Sequence, residues 1–493
     1  MKKNRHILSI CLLLAPVCLA SCSGAKVITC TGTCVNNNGT VSFVLTATPP
    51  NPSSQLSIQA FTATITGITL TPSSGSDFSV ALNATTYIAE FNRVTSDSTI
   101  LAVGAAVPAG NYTQVKISFS APTVTFCTQP NPGVPGCAAG SLKSISGSAG
   151  SATVSINLSL GVNQHTGIAV NVNLGNSVTL NSQTITAVNL GANSVFTTTT
   201  LPPASAATDL ASGQFSHIDD VMGTISNVNA CSSVLTIHTS TRGDIVANAN
   251  SSTQYSTACN TIGGGSQTFA GCVKANEVAI VDAVLNTDGT LTVVFYEPLF
   301  ARSADLIEGV VTGMPDSVNN KLSVVVTDSV FANSGSVLSS QLHIGDKVTA
   351  TLAAAQPFVI IDKGLTLPVS TFNNSTSIAD VQPGQTVAFP VTAYVAQSGV
   401  TPGTTTTNTF LLRFTRISGV ATSAGVPDFA GNTLPPFFGL ATTQQFQTTA
   451  SRLSLDGISD LGSLSVGNAF SSSTLYLGPG ATPSFASQTV RAH

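Results

Sequence analysis

The sequence predicts an all-β protein, in which an N-terminal antiparallel β-sandwich is followed by two or three small β-barrel-like modules. Only 8% of its 493 residues are charged and Trp is absent, whereas about 25% of residues are charged in average soluble proteins. Ser, Thr, Asn, Gly and Val fill the composition, and these residues favour strands and turns over helix interiors. Two further observations support the prediction: short segments alternate apolar and polar residues, and three similar motifs recur in the second half.

The first 21 residues are predicted to be a secretory signal peptide. The basic segment Lys2–Arg5 is followed by the apolar run Ile7–Ala20, which is shorter than the roughly 20 residues needed to span a bilayer. The run ends in Leu19–Cys22, which resembles the lipobox of bacterial lipoproteins. This resemblance implies cleavage before Cys22 and acylation of its thiol and its new amino group. The alternative is an ordinary signal cut at Ala-Ser, which would leave Cys22 as a plain thiol.

A lipid anchor at Cys22 would place the protein in the cell envelope, with membrane lipid as a partner. Two or more acyl chains hold a protein stably on a membrane, whereas one does not. Cys22 is followed by Ser23 and not by Asp. In lipoproteins of two-membrane bacteria this implies sorting to the outer membrane, on its periplasmic face or at the cell surface. Residues 22–38 are predicted to be a polar tether.

Residues 39–196 are predicted to form the β-sandwich. Val154, Ile156 and Leu158 alternate with polar residues, and this period of two indicates half-buried antiparallel strands. Pro108–Asn111 supplies residues that are typical of a tight turn. A succession of short strands and turns of this kind favours a sandwich.

Part of this region resembles an uncharacterised sandwich domain found near the N-terminus of bacterial surface lipoproteins. The similar segments are Gly39–Leu45, Ile65–Leu70 and Pro108–Val115. Their motifs are structural, so the resemblance transfers no catalytic residue to this chain. The Asp-Ala-Pro that usually follows the first strand in that family is replaced here by Ala47–Pro50.

Residues 197–216 are predicted to be a linker. Thr197–Thr200 is followed closely by Pro202 and Pro203. β-branched residues and consecutive prolines favour an extended and fairly stiff spacer.

Three barrel repeats are predicted beyond the linker, at 217–304, at 305–416 with an insertion, and at 417–493 in divergent form. Each opens on a similar motif, and the three motifs are Met222–Ser226, Glu308–Thr312 and Ser418–Thr422. A turn that enters a strand follows later in each repeat; the segments are Lys274–Val278, Leu342–Val348, Gln382–Val387 and Leu464–Phe470. These motifs resemble an uncharacterised bacterial family of five-stranded barrel repeats. Such barrels are similar to OB-folds, whose open face can hold oligosaccharides or nucleotides.

The chain has ten cysteines, and an exported protein can oxidise them to disulfides. Cys11 and Cys18 would leave with the signal and Cys22 would be acylated, so 10 − 3 = 7 remain. The predicted pairs are Cys30–Cys34, Cys127–Cys137 and Cys231–Cys259, with Cys272 left over and able to exchange with Cys231 or Cys259. A zinc site is disfavoured because the sequence has no CxxC and no His at ligand spacing. No metal or other cofactor is expected.

The densest cluster of acidic and His residues is His217, Asp219 and Asp220. A solvated loop at the start of a strand is favoured for it over a metal site. His238 is expected on a strand surface, and His165 and His343 in turns or on the surface. Asp456 and Asp460 are four residues apart, but neighbouring glycines argue against a shared helical face for a carboxylate pair. The motifs of serine hydrolases, zinc proteases and phosphate-binding loops are absent from the sequence.

The sequence therefore predicts a non-catalytic envelope lipoprotein that acts as a surface binding module for glycan or protein. A structural or assembly component of the envelope is the alternative, and a hydrolase with an unrecognised site is less favoured. The formal charge of −4 has no accompanying basic stripe, which argues against nucleic acid as a partner. Only 6% of residues are aromatic, which disfavours an outer-membrane barrel with its aromatic girdles. Exposed aromatic rows would favour glycan binding, and a long bare edge strand would favour assembly.

Overall fold

A computed structural model describes residues 37–128, 134–138, 140–182, 184–201, 210–262, 264–353, 358–365, 367, 377–425, 428–440, 442–448, 454–456, 460–478 and 481–493. Strands account for 55% of the described residues and helices for 7%, so the all-β prediction is confirmed. The predicted signal peptide, Cys22, most of the tether, and the pair Cys30–Cys34 lie outside the described residues.

The first module is a two-sheet sandwich. Its strands are β1 (Asn38–Thr48), β2 (Ile58–Pro72), β3 (Phe78–Val80), β4 (Tyr87–Glu90), β5 (Thr99–Pro108), β6 (Gly110–Phe119), β7 (Thr123–Cys127), β8 (Leu142–Ser146), β9 (Gly150–Leu160), β10 (His165–Asn173), β11 (Val178–Asn181), β12 (Thr184–Val188) and β13 (Phe196–Thr200), with a short helix α1 (Leu174–Ser177). One sheet has the order β13-β10-β1-β5 and the other has β8-β7-β2-β6-β9, with β3 and β4 also paired to β2; β11 and β12 form a separate hairpin.

One strand pair departs from the antiparallel prediction. β1 runs parallel to β10 and antiparallel to β5, between which it lies. A parallel pair needs a long crossover, and here the connection passes through the opposite sheet. β1 is covered on both faces, since Phe43 lies in the sandwich core while Val44 packs with the core of the next module.

The predicted linker also begins too early. Thr197–Thr200 belongs to β13, which pairs with β10 at the edge of the first sheet. The β-branched residues that suggested an extended spacer thus form a strand of the sandwich. Pro202 and Pro203 lie outside the described residues, and the next strand begins at Gln214.

Three barrel-like modules follow, which we call the barrel modules. The first contains β14 (Gln214–Asn229), β15 (Val234–Thr239), β16 (Gly243–Asn248), β17 (Gln254–Tyr255), α2 (Phe269–Cys272), β18 (Val278–Asn286) and β19 (Leu291–Phe300). The second contains β20 (Asp305–Val311), β21 (Lys321–Val330), β22 (Lys347–Leu352), β23 (Val359–Ile360), β24 (Thr386–Val391), β25 (Tyr394–Val395), β26 (Gly403–Thr407) and β27 (Leu411–Arg413). The third contains β28 (Thr415–Ser423), β29 (Asp428–Asn432), β30 (Gln444–Thr448), β31 (Ser454–Asp456), β32 (Ala469–Tyr476) and β33 (Phe485–Ala492). Single 3-10 turns lie at Pro52–Ser54, Arg93–Thr95, Thr257–Asn260, Ile378–Asp380, Pro436–Phe438 and Leu461–Ser463.

The three barrel modules share one strand order, in which the first long strand lies between the second and the fourth. The orders are β16-β15-β14-β18-β19, β22-β21-β20-β24-β27 and β30-β29-β28-β32-β33. The third module closes as a small five-stranded barrel, because β30 runs parallel to β33 over three residue pairs. The edges of the first meet at a single pair, Asn248 and Thr292. In the second, β22 pairs instead with the inserted β26, which leaves the sheet open.

The repeated opening motif has a packing cause. Gly223, Gly309 and Gly419 occupy matching positions in the first strand of each module, and an ideal Cβ on any of them would lie within 2.8 Å of a carbonyl oxygen in its surroundings. Only glycine permits this approach of the two backbones. The later turns do not occupy equivalent positions in the modules. Gly384 and Gly467 precede the strands β24 and β32, which pair with the first strand of their modules, whereas Gly345 precedes β22, which does not.

Candidate functional site

Charged side chains from all four modules converge on one buried region, which we call the charged junction. Each of its side chains is at most 8% exposed. Its cations are Arg93, Arg242, Lys363, Arg413, Arg416 and Arg491, and its acids are Asp97, Asp219, Asp220, Asp282, Glu308 and Asp328. Buried charges persist in proteins when they are paired and hydrogen-bonded. In a chain so poor in charge, their concentration here defines how the modules dock.

Asp220 is the centre of the charged junction. Its Oδ1 lies 2.8 Å from Nη2 of Arg413 and 3.6 Å from Nζ of Lys363. Its Oδ2 lies 2.7 Å from Nη2 of Arg416 and 3.1 Å from Nη2 of Arg93. One carboxylate of the first barrel module therefore contacts cations from the sandwich and from the other two barrel modules.

A bulge in β14 places this carboxylate. Between Ile218 and Val221 the register with β18 shifts, so that Asp219 and Asp220 together oppose the single residue Asp282. Asp220 has φ of 57°, and its N–H donates to Oδ1 of Asp282 at 2.7 Å. A bulge re-aims side chains that a regular strand would alternate, and here it directs Asp220 into the interface between modules.

Arg93 enters the charged junction from the sandwich, at the 3-10 turn after β4. Its Nη1 lies 2.7 Å from Oδ2 of Asp328 and 3.3 Å from Oε1 of Glu308 in the second barrel module. The buried carboxylate of Glu90 holds the turn, since it accepts the N–H of Arg93 at 2.6 Å as well as those of Phe61 and Asn92. This carboxylate thus fixes the backbone from which Arg93 projects.

The third barrel module is joined through two arginines that bind the sandwich. Arg416 contacts Oδ2 of Asp97 at 2.6 Å. Arg491 donates from Nη1 to the backbone carbonyls of Val94, Thr95 and Asp97, at 2.9 to 3.1 Å. Fully hydrogen-bonded guanidinium groups of this kind suit buried interfaces, because their planar fork matches several acceptors at once.

The two adjacent acids of β14 have opposite electrostatic environments. Burial alone would raise the pKa of Asp220, but Arg413, Lys363, Arg416 and Arg93 hold it well below its usual value. Burial and the neighbouring Asp282 raise the pKa of Asp219 to about 7. Asp220 is therefore a permanent counter-charge, whereas Asp219 binds a proton near neutral pH.

A cleft lies beside the charged junction, where the sandwich meets the second and third barrel modules. It is a concave space that opens to solvent. Residues of the β1–β2 connection line one side, and residues of β20, β21, β24 and β28 line the other. Arg93, Glu90, Glu308 and Arg416 reach its wall. No single module contains this cleft, so it exists only in the docked arrangement.

A disulfide-closed loop also joins the modules beside the cleft. Cys127 and Cys137 are bonded, as their spacing suggested. Within the loop, Gly136 donates its N–H to the carbonyl of Phe437 at 2.7 Å, and Cys137 donates its own to that of Thr312 at 2.9 Å. The loop of the sandwich thereby reaches both the second and the third barrel module.

The predicted pairing of Cys231 with Cys259 is wrong. Cys259 is bonded to Cys272, with a Cα–Cα distance of 4.9 Å. Both are fully buried in the first barrel module, on a 3-10 turn and on α2 that face each other. Cys231 is exposed in the turn after β14, away from this core. The bond closes a loop within the long β16–β18 connection.

The prediction of a solvated loop at His217, Asp219 and Asp220 is also wrong. Asp219 and Asp220 are 5% and 1% exposed, and they lie within β14. Among the other candidates, His238 is on a strand surface as expected, 2.6 Å from Asp244. His343 is exposed, and His165 begins β10 with its Nδ1 2.8 Å from the Thr40 hydroxyl.

Asp460 caps the 3-10 turn Leu461–Ser463 and has a local structural role. In the described ranges no group of three or more His, Cys, Asp or Glu is arranged to hold a metal ion. No described helix has the length and apolar character to cross a membrane.

Sequence reasoning missed the arginines and Lys363 entirely. The only available signal was their rarity, since a chain with 17 Lys and Arg residues carries two of them, Arg413 and Arg416, three positions apart. Their partners are distant in sequence; Asp220 and Arg413 are separated by 193 residues. No local pattern links positions so far apart.

Comparison with known family models and with curated proteins found no match.

Proposed function

We propose that this protein is a lipid-anchored, non-catalytic binding protein of the bacterial cell envelope, with glycan or protein as its ligand. The observation that carries the proposal is the cleft between three modules. Small-ligand sites are typically concave and often lie at domain interfaces. The cleft is concave and lies at such an interface, and the charged junction holds its walls in one arrangement.

The non-catalytic part of the proposal is supported by the cleft's ionisable groups. Glu90 accepts three backbone N–H groups, and Arg93, Glu308 and Arg416 are engaged in ion pairs within the protein. A general acid or base must reach the substrate proton, and these groups are committed to protein partners. A hydrolase with an unrecognised site remains the less favoured reading.

The anchor is proposed from the lipobox-like end of the signal, with acylated Cys22 in the outer membrane. Cells grown with labelled fatty acid should incorporate label into the wild-type protein, which should fractionate with the outer membrane. Cys22→Ala should lose both label and membrane association, while Cys231→Ala serves as a matched cysteine control that keeps both. Label that persists in Cys22→Ala, or a wild-type protein in the soluble fraction, would overturn the anchor.

A structural or assembly role is the second candidate, and the charged junction favours it. Because the charged junction holds four modules together as one body, it is consistent with a rigid spacer in the envelope as well as with a binding pocket. Two substitutions distinguish the structural role from the binding role. A purely structural role predicts that filling the cleft with Ser418→Trp leaves envelope integrity intact, and that breaking the charged junction with Asp220→Asn impairs it.

A further inference from the structure

We infer that the cleft binds a neutral oligosaccharide, through hydroxyl and amide groups and without an ion pair. This inference rests on the proposed function, because it names the chemical class of the ligand of the same cleft. It is carried by the charge state of the cleft wall, by the groups that remain to meet a ligand, and by the shape of the space.

The ionisable side chains of the cleft wall already have partners inside the protein. Two are cationic, Arg93 and Arg416, and two are acidic, Glu90 and Glu308. Glu90 accepts three backbone N–H groups, and its burial raises its pKa to about 7. Arg93 contacts Glu308 at 3.3 Å and Asp328 at 2.7 Å. Arg416 lies 2.6 Å from Asp97 and 2.7 Å from Asp220. Glu308 also accepts from Arg413 at 2.9 Å.

A charged ligand would therefore gain no counter-charge in this cleft. A carboxylate or phosphate would have to displace an existing partner of Arg93 or Arg416, and an uncompensated buried charge is strongly destabilising. An ammonium group would meet the same obstacle at Glu308. Loss of hydration without a new ion pair disfavours charged ligands of either sign.

The other polar groups of the wall are neutral. Asn51 and Asn92 bring side-chain amides, and Ser418 and Thr433 bring hydroxyls. Oδ1 of Asn51 already accepts from Ser53, and the Thr433 hydroxyl already donates to Asn432, so these two meet a ligand through their remaining donor or acceptor capacity. Amides and hydroxyls both donate and accept hydrogen bonds, which matches the hydroxyl groups of a sugar. Proline and other apolar side chains lie between them, for instance at Pro435, and offer surface for the C–H groups of a sugar ring.

The shape of the cleft favours a short chain of sugars over a protein partner. A stable protein interface buries about 800 Å² on each side across a broad surface, whereas this space is a concavity between modules. The affinity would not come from stacking on aromatic rings, since Phe437 and Phe438 in the wall are only 1% and 4% exposed. Binding then depends on hydrogen bonds that the fixed walls present in advance.

The test is calorimetric titration of the full-length, detergent-solubilised protein with neutral oligomers of glucose, mannose, galactose and N-acetylglucosamine. Oligomers of galacturonic and mannuronic acid serve as charged counterparts. At least one neutral oligomer should bind, and the charged counterparts should bind at least about tenfold more weakly. Failure of all neutral oligomers to bind, or a preference for the acidic ones, would overturn the inference.

Two variants locate the binding. Ser418→Trp places a bulky ring in the cleft and should abolish binding, and Asn92→Ala removes one amide and should weaken it by about tenfold. Thr153→Trp, on the exposed face of β9, is the matched control and should bind as wild type does. Near-ultraviolet circular dichroism verifies folding of each variant, and Asn92→Ala carries the test if Ser418→Trp does not fold. Unchanged affinity in the folded cleft variants would also refute the inference.

The result of the sugar titration can be separated from the result of the acylation test at Cys22. A protein that is acylated at Cys22 but binds an envelope protein in place of sugars would contradict the inference and leave the proposed function standing. A protein that binds neutral sugars but carries no lipid would contradict the anchor alone, since the titration does not depend on the lipid.

Discussion

Asp220 touches four cations that come from three other modules, and the side chain of each of those cations is at most 8% exposed. Removal of a counter-charge from a buried network costs more than the pair itself contributes, because the remaining charge stays in a medium of low polarity. The importance of Asp220 for stability therefore lies in the charges that its loss would leave unpaired.

We expect Asp220→Asn to lower the free energy of unfolding by about 3–5 kcal/mol. The substitution keeps the shape of the side chain and removes its charge, so Arg93, Lys363, Arg413 and Arg416 lose a shared partner. Urea denaturation followed by circular dichroism measures the change. Asp244→Asn removes an acid from the exposed pair with His238 and should cost at most about 1 kcal/mol. Equal costs for the two variants would contradict the role of Asp220.

The protonation of Asp219 predicts a pH dependence of stability. Its pKa is about 7 in the folded protein and about 3.9 in an unfolded chain, so between these values the folded state binds the proton more tightly. Stability from this group is therefore fully present below about pH 4 and declines until about pH 7. Burial raises the pKa of Glu90 and Glu297 to about 7 as well, which has the same sign. The depressed pKa of Asp220 leaves its contribution constant above pH 4.

Stability measured by urea denaturation should accordingly fall from pH 5 to pH 8. The stability of Asp219→Asn should fall less steeply, because this variant lacks the titrating carboxyl. Each unit of pKa difference between the folded and unfolded states is worth about 1.4 kcal/mol. Asp77→Asn, at an exposed position, should parallel the wild type. A wild-type protein that gains stability over this range would show that Asp219 is ionised in the folded state.

At the scale of single residues, the sequence predicted little of the charged junction. The pair Asp219–Asp220 was visible, but its interpretation as a solvated loop was wrong because acids beside a His give no local sign of burial. Cys127–Cys137 could be predicted because the bond closes a short loop. Cys259–Cys272 could not be chosen over Cys231–Cys259, since spacing permits both and only the packing of α2 decides between them.

Among the elements, the first strand of each barrel module has the strictest requirement. The motif that appears three times in the sequence marks the place where a neighbouring backbone approaches the glycine of this strand closely. This is also why the repeats were recognisable despite irregular spacing. The motif reports a local contact, and the insertion that carries β25 and β26 does not disturb it.

Gly309→Ala should therefore destabilise the protein by about 1–3 kcal/mol through overpacking. Its new Cβ would lie 2.5 Å from the carbonyl oxygen of Val325. Gly313→Ala is a matched control at a glycine with no heavy atom within 4 Å of an ideal Cβ, and it should leave stability nearly unchanged. Thermal unfolding of both variants measures the difference, and similar melting temperatures would contradict the packing role.

Other elements could not be predicted because their pairing is non-local. The threonines of β13 predicted a spacer, but they form a strand because the edge of β10 is available for pairing. β1 runs parallel to β10 because the opposite sheet provides the crossover. In both cases the deciding partner lies outside the segment that was read.

For the molecule as a whole, the barrel modules are held against the sandwich and against one another. Met222, Val278, Leu306 and Ala388 form one apolar cluster shared by the first two barrel modules. The charged junction adds fixed hydrogen bonds to such contacts. The modules therefore form a single body.

We expect the protein to unfold in one calorimetric transition. Arg93→Ala should separate the melting of the sandwich from that of the barrel modules, because it removes the contacts of Arg93 with Asp220, Glu308 and Asp328. Lys116→Ala, an exposed change in the same module, should preserve a single transition. Separate transitions in the wild type would show that the modules are energetically independent.

The long separations within the charged junction also bear on how the protein is made. Arg93 meets Asp220, Glu308 and Asp328 across 127, 215 and 235 residues, and Asp97 meets Arg416 across 319. A nascent chain folds from its N-terminal domain first, so the early sandwich must present Arg93 and Asp97 to water. Truncated products would keep that hydrophilic surface open, which discourages their premature association. Only the finished polypeptide can bury it.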